Sequence, residues 1–558
     1  MESSPSTNGK ATVESLRTYI RETWPKLTRS VHTLCESAGD PKTDERRNAP
    51  HILYLSPRED ARAVKRRLHE CLSAEDFARI EMRPIPGNPW DNDDHGLLYL
   101  PGEYVVPGGR FNEMYGWDSY FINLGLLRDG QVELAKSMVD QQLYEIEHYG
   151  MVLNANRSYY LTRSHPPVLS MMLFDVFNHT GDLDWLGRAL PLAEQFHTYY
   201  LVPPHRDQAS GLSRYFDVGR GTAAEVLYGE RDPYGRSHYD RLREIFRDHY
   251  TAIEEVELFY DRTRDSLTEY ALKGDRSMRE SGFDPSGRFG PFNLDAPRYA
   301  PVCLNTLLYV FERNLAEMNR LIGDLGAAAY WEREAALRVD LINHFLWDEK
   351  HGLYLDYHLE RFERTLYPFL TTFWPLWARI ASKEQAARVM EHLPLFEVEG
   401  GLQTSCCATG NQWDAPFIWA PLHLMAIEGM RHYGYCREAD RIQKKFLNVV
   451  MHDFAGTGCL YEKYKSCGSR NVSSDLRFGY TSNEPGFGWT NGVILELFHQ
   501  DGVSSLNLKG NPHHSSSRFS SPAPSLSPKA SIRFHPMAKA RSSTSPSKRP
   551  RPIILPRS

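Results

Sequence analysis

Apolar residues along this chain recur mostly every three or four positions, the period of a helix with one buried face. Leu16, Tyr19, Ile20, Trp24 and Leu27 mark an amphipathic first helix within 13–35, and Ala61, Val64, Leu68 and Leu72 a charged helix over 58–82. Further helices are predicted over 118–127, 130–147, 168–179, 184–200, 237–272, 301–323, 327–346, 371–382, 384–392, 415–432, 435–452 and 489–499. Strand-like stretches are short and isolated, HILYLS at 51–56 being one. Residues 83–110 are rich in Pro, Gly, Asp and Asn and predict a long irregular loop. Helices joined by loops that carry Gly, Pro, Trp and charged residues imply a mainly α fold. The expected form is an α-barrel of helical hairpins, with functional loops gathered at one end.

The two ends depart from that pattern. Residues 1–12 predict a disordered lead, and 503–558, rich in Ser, Pro, Lys and Arg, a disordered C-terminal tail. The helical body is expected over 13–500. From Gly502 onward there are ten Lys and Arg and no Asp or Glu, so residues 1–501 hold 55 basic against 71 acidic residues, a net charge of −16. Such an acidic body argues against nucleic acid as a partner. No apolar run reaches membrane-spanning length and the polar N-terminus shows no signal segment, so the expectation is a cytoplasmic protein without a membrane partner. Cysteines 35, 71, 303, 406, 407, 436, 459 and 467 show no CxxC spacing and are expected as buried thiols, the adjacent Cys406 and Cys407 included. The scattered histidines lack metal-ligand spacing and no phosphate-binding loop is present, so neither metal nor cofactor is expected.

Five stretches concentrate the chemistry. Pro107–Phe121, PGGRFNEMYGWDSYF, interleaves Arg110, Glu113 and Asp118 with Phe111, Tyr115, Trp117 and Tyr120. Aromatic faces stack on apolar faces of a ring-shaped ligand while charged groups grip its hydroxyls, a mixture suited to a sugar. Asn154–Pro167, NANRSYYLTRSHPP, adds two amides, two Arg and His165 in an irregular segment; the alternative is that the Arg side chains tie down a loop. Arg279–Gly290 places Asp284 between Phe283 and Pro285, where exclusion of water raises a carboxyl pKa toward what a general acid needs; the alternative is a helix N-cap. Gly410–His423 pairs Trp413 with Asp414 before a helix, Trp413 and Trp419 either stacking on sugar or filling the core. Glu462 lies between Tyr461 and Tyr464 as a second carboxylate, unless it is half of an exposed Glu–Lys pair. Two carboxylates flanking a glycosidic bond are the minimum apparatus for its hydrolysis.

Together these stretches resemble the α,α-trehalases of glycoside hydrolase family 37. The signature PGGRF-x-E-x-Y-x-WD-x-Y is matched at Pro107–Tyr120, and QWD-x-P-x-x-WAP nearly so at Gln412–Pro421. ESGFDPSGRF, NANRSYYLTRSHPP and EKYK…GFGWTNG are similar to further family segments, in family order from about 100 to 495. The resemblance implies an (α/α)6 barrel and an inverting mechanism that cleaves α,α-trehalose to two glucose molecules. It implies Asp284 as general acid and Glu462 as general base, with Arg110, Phe111, Trp117, Asp118, Asn154, Arg163, Glu225 and Trp413 binding the sugar. Departures from the family are His165 for Gln, Phe283 for Trp, Lys465 for Asp, a lost Arg near Glu225, and a replaced glycine-rich lid in which Glu484 is the acidic residue put forward for the family's binding Glu. They leave two alternatives: an inverting glucosidase on another α-glucoside, or an inactive trehalose-binding sensor.

Overall fold

A computed structural model describes residues 12–40, 42, 50–88, 94–229, 231–232, 234–248, 255–466, 478–479 and 483–500. The predicted lead up to residue 11 and the tail from 503 onward lie outside these residues.

Helix α1 (Val13–Leu27) begins at a capping box, Thr12 and Ser15 each satisfying the other's backbone N–H. After a 3-10 turn (Val31–Thr33) and one short helix (Leu34–Ala38) comes a small parallel sheet. Strand β1 (His51–Leu55) pairs with β2 (Ile80–Pro84) on one side and β3 (Leu97–Leu98) on the other, with α2 (Ala61–Cys71) as the crossover. The helix expected over 58–82 therefore ends early, and part of the expected 83–110 loop is strand. Ser73 caps a separate short turn, and Leu53, Leu55, Val64, Leu68 and Leu97 then share one apolar core.

The body is an (α/α)6 barrel. Its hairpins are α3 (Asp118–Arg128) with α4 (Val132–Tyr149), α5 (Leu169–Thr180) with α6 (Leu183–Tyr199), α8 (Val302–Leu321) with α9 (Leu325–Leu341), α10 (Trp374–Trp377) with α11 (Lys383–Glu391), and α12 (Ala420–His432) with α13 (Cys436–Thr457). Helix α7 (Glu269–Glu280) is inserted between the second and third. The last inner helix, α14 (Gly488–Gln500), takes α1 as its outer partner. Inner helices contact in the order α3, α5, α8, α10, α12, α14 and back to α3. Their burial shows the layering: Asp118–Leu127 and Gly488–Phe498 are buried on every side, whereas α4 buries one face.

The helix expected over 237–272 is broken. His238–Asp248 and Val256–Phe259 are separate helices, Tyr260–Asp261 and Ser266–Leu267 form a hairpin, and α7 starts afresh where the Thr268 hydroxyl accepts from Ala271 N–H. The buried-thiol expectation holds for Cys35 and Cys303; Cys71, Cys407 and Cys459 are half-buried, Cys406 and Cys436 are exposed, and Cys467 lies outside the described residues. Cys406 and Cys407 sit on a surface loop, where no core is available to cover them. No helix of the described residues is long and apolar enough to cross a membrane.

Ring closure needs two glycines. A Cβ at Gly492 of α14 would stand 1.8 Å from Phe121 O of α3, and one at Gly125 would stand 2.7 Å from Gly492 Cα and 2.8 Å from the Trp24 ring. Gly492→Ala is expected to destabilise the fold by about 3 kcal/mol, the upper range for overpacking. Gly456→Ala on α13, where a new Cβ meets nothing within 4 Å, serves as the control. Thermal unfolding that shifts equally in both variants would contradict this account of closure.

Candidate active site

A cavity lies at the N-terminal ends of inner helices α3, α12 and α14. Its wall includes nine of the ten predicted site residues: Phe111, Trp117, Asp118, Asn154, Arg163, Glu225, Asp284, Trp413 and Glu462. Arg110 is the exception. Its backbone N–H donates to Glu484 Oε1 at 3.0 Å, and its guanidinium lies over Phe111 and 3.6 Å from Glu484 Oε2.

Asp284 is not a helix cap. It leaves the C-terminal end of α7 through Gly282, whose φ of 74° is the left-handed region and whose missing side chain lets the loop lie against Trp117; a Cβ would stand 3.1 Å from that indole. Buried Asn293 fixes the loop by donating to Phe283 O and accepting from Ser286 Oγ and Phe289 N–H. Asp414 clamps the far side, accepting from Gly287 N–H, Tyr367 Oη, Ser405 Oγ and Thr409 Oγ1. The surroundings of Asp284 are not aromatic alone: Arg279 Nη1 lies 3.3 Å from its Oδ2, while the rest of that guanidinium holds Asp275.

Glu462 is buried, not half of an exposed pair. Its segment is pinned by Glu462 N–H to Glu484 O, Trp489 Nε1–H to Glu462 O, and Thr490 Oγ1–H to Tyr461 O. Asp118, 4% exposed, lies within electrostatic range of both carboxylates; burial, then the charges of Glu462 and Asp284, push its pKa well up.

The two arginines of the second stretch have opposite fates. Arg163 faces the cavity wall, its Nη2 on Glu225 Oε1 and its Nη1 3.6 Å from Asp217. Arg157 turns away, ion-paired with Glu113 at 2.5 Å and donating to the carbonyls of Ser37, Ala38 and Gly39. Arg157 and Glu113 thus tie down the N-terminal segment, as the loop-tying alternative held. Asn154 spends its amide N–H groups on Ser164 O and Arg279 O, fixing the wall it belongs to. Trp413 and Trp419 stack on each other at 3.9 Å while both reach the cavity, so core filling and wall building coincide.

Residues 2–502 match the family described as Trehalase. The chain belongs to the trehalase family. It is 34% identical to a protein named cytosolic neutral trehalase in Saccharomyces cerevisiae, over 72% of this chain and 60% of that one. A probable trehalase of Eremothecium gossypii is 36% identical over 70% of this chain and 57% of its own length. The chain therefore spans about three fifths of the curated relatives it matches. The solved structure of neutral trehalase Nth1 from Saccharomyces cerevisiae superposes with a TM-score of 0.73 at 30% identity, covering 87% of this chain and 93% of that one.

Sequence reasoning passed over several wall residues of this trehalase-family site, among them Arg279, Gln412, Tyr160 and Trp489. Arg279 had a readable signal: Asp275 and Arg279 are four residues apart on α7, a spacing that pairs opposite charges.

His165, the family's departure from Gln, also lines the cavity. Its Nδ1 accepts from Trp117 N–H at 3.2 Å, which places the ring proton on Nε2. Burial, and then Arg163, hold its pKa well below the usual 6.5. The folded value lies below the unfolded one, so the stability this histidine contributes is complete above about pH 6.5 and is lost as pH falls. Relative to His165→Gln, the wild type is expected to lose about 1.4 kcal/mol between pH 7.5 and 5.5 in denaturant unfolding. Parallel pH curves would contradict it.

Proposed function

We propose that this protein hydrolyses α,α-trehalose to two glucose molecules with inversion, in the cytosol as the names of its relatives describe. The observation that carries the reading is that Asp284 and Glu462, 178 positions apart, line one aromatic-walled cavity. Asp284 is the general acid, giving its proton to the oxygen between the two rings. Glu462 is the general base, drawing a proton from a water that attacks the anomeric carbon from the opposite face. Inverting enzymes keep their two carboxyl groups about 6.5–9.5 Å apart to admit that water.

Sugar binding falls to Phe111, Trp117 and Trp413 through their rings, and to Asp118, Asn154, Arg163 and Glu225 through polar atoms. Arg110 closes the edge. Arg163 Nε and Glu225 Oε2 support this role, since both are buried beside the cavity without a hydrogen-bond partner among the described residues. Unmet buried polar atoms in a cavity wall are what sugar hydroxyls satisfy. A disaccharide is the partner proposed; the metal-free, cofactor-free chemistry needs only the two carboxylates.

Glucose release from trehalose, maltose and other α-glucosides is expected with trehalose alone as a good substrate. Asp284→Asn and Glu462→Gln are each expected to lower kcat by about 10³-fold or more in protein whose circular dichroism at the assay temperature matches the wild type. Activity on trehalose that survives either change would refute the assignment.

A further inference from the structure

The segment that brings Glu462 to the cavity also carries a cation into the interior. Lys463 is 0% exposed and is not part of the cavity wall. Its ammonium Nζ lies 3.2 Å from Glu462 Oε2 and 3.1 Å from Gln412 Oε1, and sits 5.2 Å from the centre of the Trp419 ring. An ammonium only donates, so it takes the oxygen of the Gln412 amide. The amide nitrogen is thereby turned the other way, and it donates to the main-chain carbonyl of Asp284. A chain of polar contacts thus runs from the Glu462 carboxylate through the Lys463 ammonium and the Gln412 amide to the backbone of Asp284. It links three segments far apart in sequence, and Glu462, Gln412 and Asp284 are all part of the cavity wall.

We propose that Lys463 is a positioning residue for hydrolysis: it fixes the Glu462 carboxylate relative to the Asp284 loop and sets a counter-charge in contact with it. The proposal rests on Glu462 being the general base. A carboxylate 5% exposed loses its hydration, and an ammonium in contact offsets that loss. The other charged groups in range do not substitute for it. Asp118 and Asp284 oppose a negative charge at Glu462, Arg279 is committed to Asp275 and Asp284, and Arg110 is held by Glu484. Burial, the largest influence, holds the Lys463 pKa below its usual value, and contact with Glu462 opposes that fall.

The test uses the full-length protein with Lys463→Met, which keeps the stem and removes the charge, and Lys463→Gln, which keeps a donor. Trehalose hydrolysis is followed from pH 4.5 to 9, and binding of a non-hydrolysable trehalose analogue is measured by calorimetry at pH 7. Lys463→Met is expected to lower kcat by about 10²-fold, within the range of general acid–base catalysis, while analogue affinity changes less than about threefold. The acid limb of its kcat profile is expected to move up by about one pH unit, because the ionised base has lost its counter-charge. Lys463→Gln is expected to recover part of kcat but to keep the displaced limb, and it carries the test alone should the Met variant not fold. An acid limb unmoved in both variants, or kcat and analogue affinity falling together, would overturn the proposal. A wild-type protein that binds the analogue but does not cleave trehalose would instead remove the reading on which it rests.

Discussion

The closure of the helical ring is the constraint on which the rest depends. Inner helices α3 and α14 come together backbone to backbone because Gly125 and Gly492 leave no side chain between them, and Trp24 of α1 lies against the same place. That approach sets Trp117 and Asp118 at the start of α3 beside Phe487 and Trp489 at the start of α14. Residues some 370 positions apart thereby share one wall. A bulkier pair at the seam would separate them, and with them the segment that Trp489 Nε1 holds through Glu462 O.

A second constraint follows from what the closed ring encloses. Asp118, Glu225, Asp284 and Glu462 stand around one small cavity, and carboxylates out of water need compensation. The chain meets this with a cation for each of the outlying three: Arg163 for Glu225, Arg279 for Asp284 and Lys463 for Glu462. Asp118 differs: burial and its acidic neighbours favour its neutral form. The loops themselves are held mostly by backbone carbonyls and N–H groups bonded to Asn293, Asp414, Asn154 and Trp489, so the reacting side chains are left available.

Much of this was legible in the sequence, for identifiable reasons. Outer helices such as α4 repeat apolar residues at 3.6-residue spacing, and inner helices such as α3 and α14 are apolar nearly all round, signals that survive without tertiary knowledge. The motifs carried the site because aromatic, amide and carboxylate residues cluster just before the inner helices. What failed did so where local pattern is ambiguous. Residues 58–82 read as one helix from Ala61, Val64, Leu68 and Leu72, and only the pairing of Ile80 with His51 and of Met82 with Leu53 makes its end a strand. The run 237–272 hid a hairpin whose turn residues are charged and resemble a helix surface. Arg157 and Arg163 are indistinguishable in sequence, since their fates depend on carbonyls at Ser37–Gly39 in one case and on Glu225 in the other. Lys463 looked like a surface partner of Glu462 and became its interior counter-charge.

The stereochemistry of the products tests the central claim, that two fixed carboxylates act on opposite faces of one anomeric carbon. Proton NMR of the first glucose released from α,α-trehalose distinguishes the anomers before mutarotation mixes them. Inversion predicts one β-glucose for each α-glucose in the earliest spectra. Release of α-glucose alone would mean retention, and would contradict the roles assigned to Asp284 and Glu462.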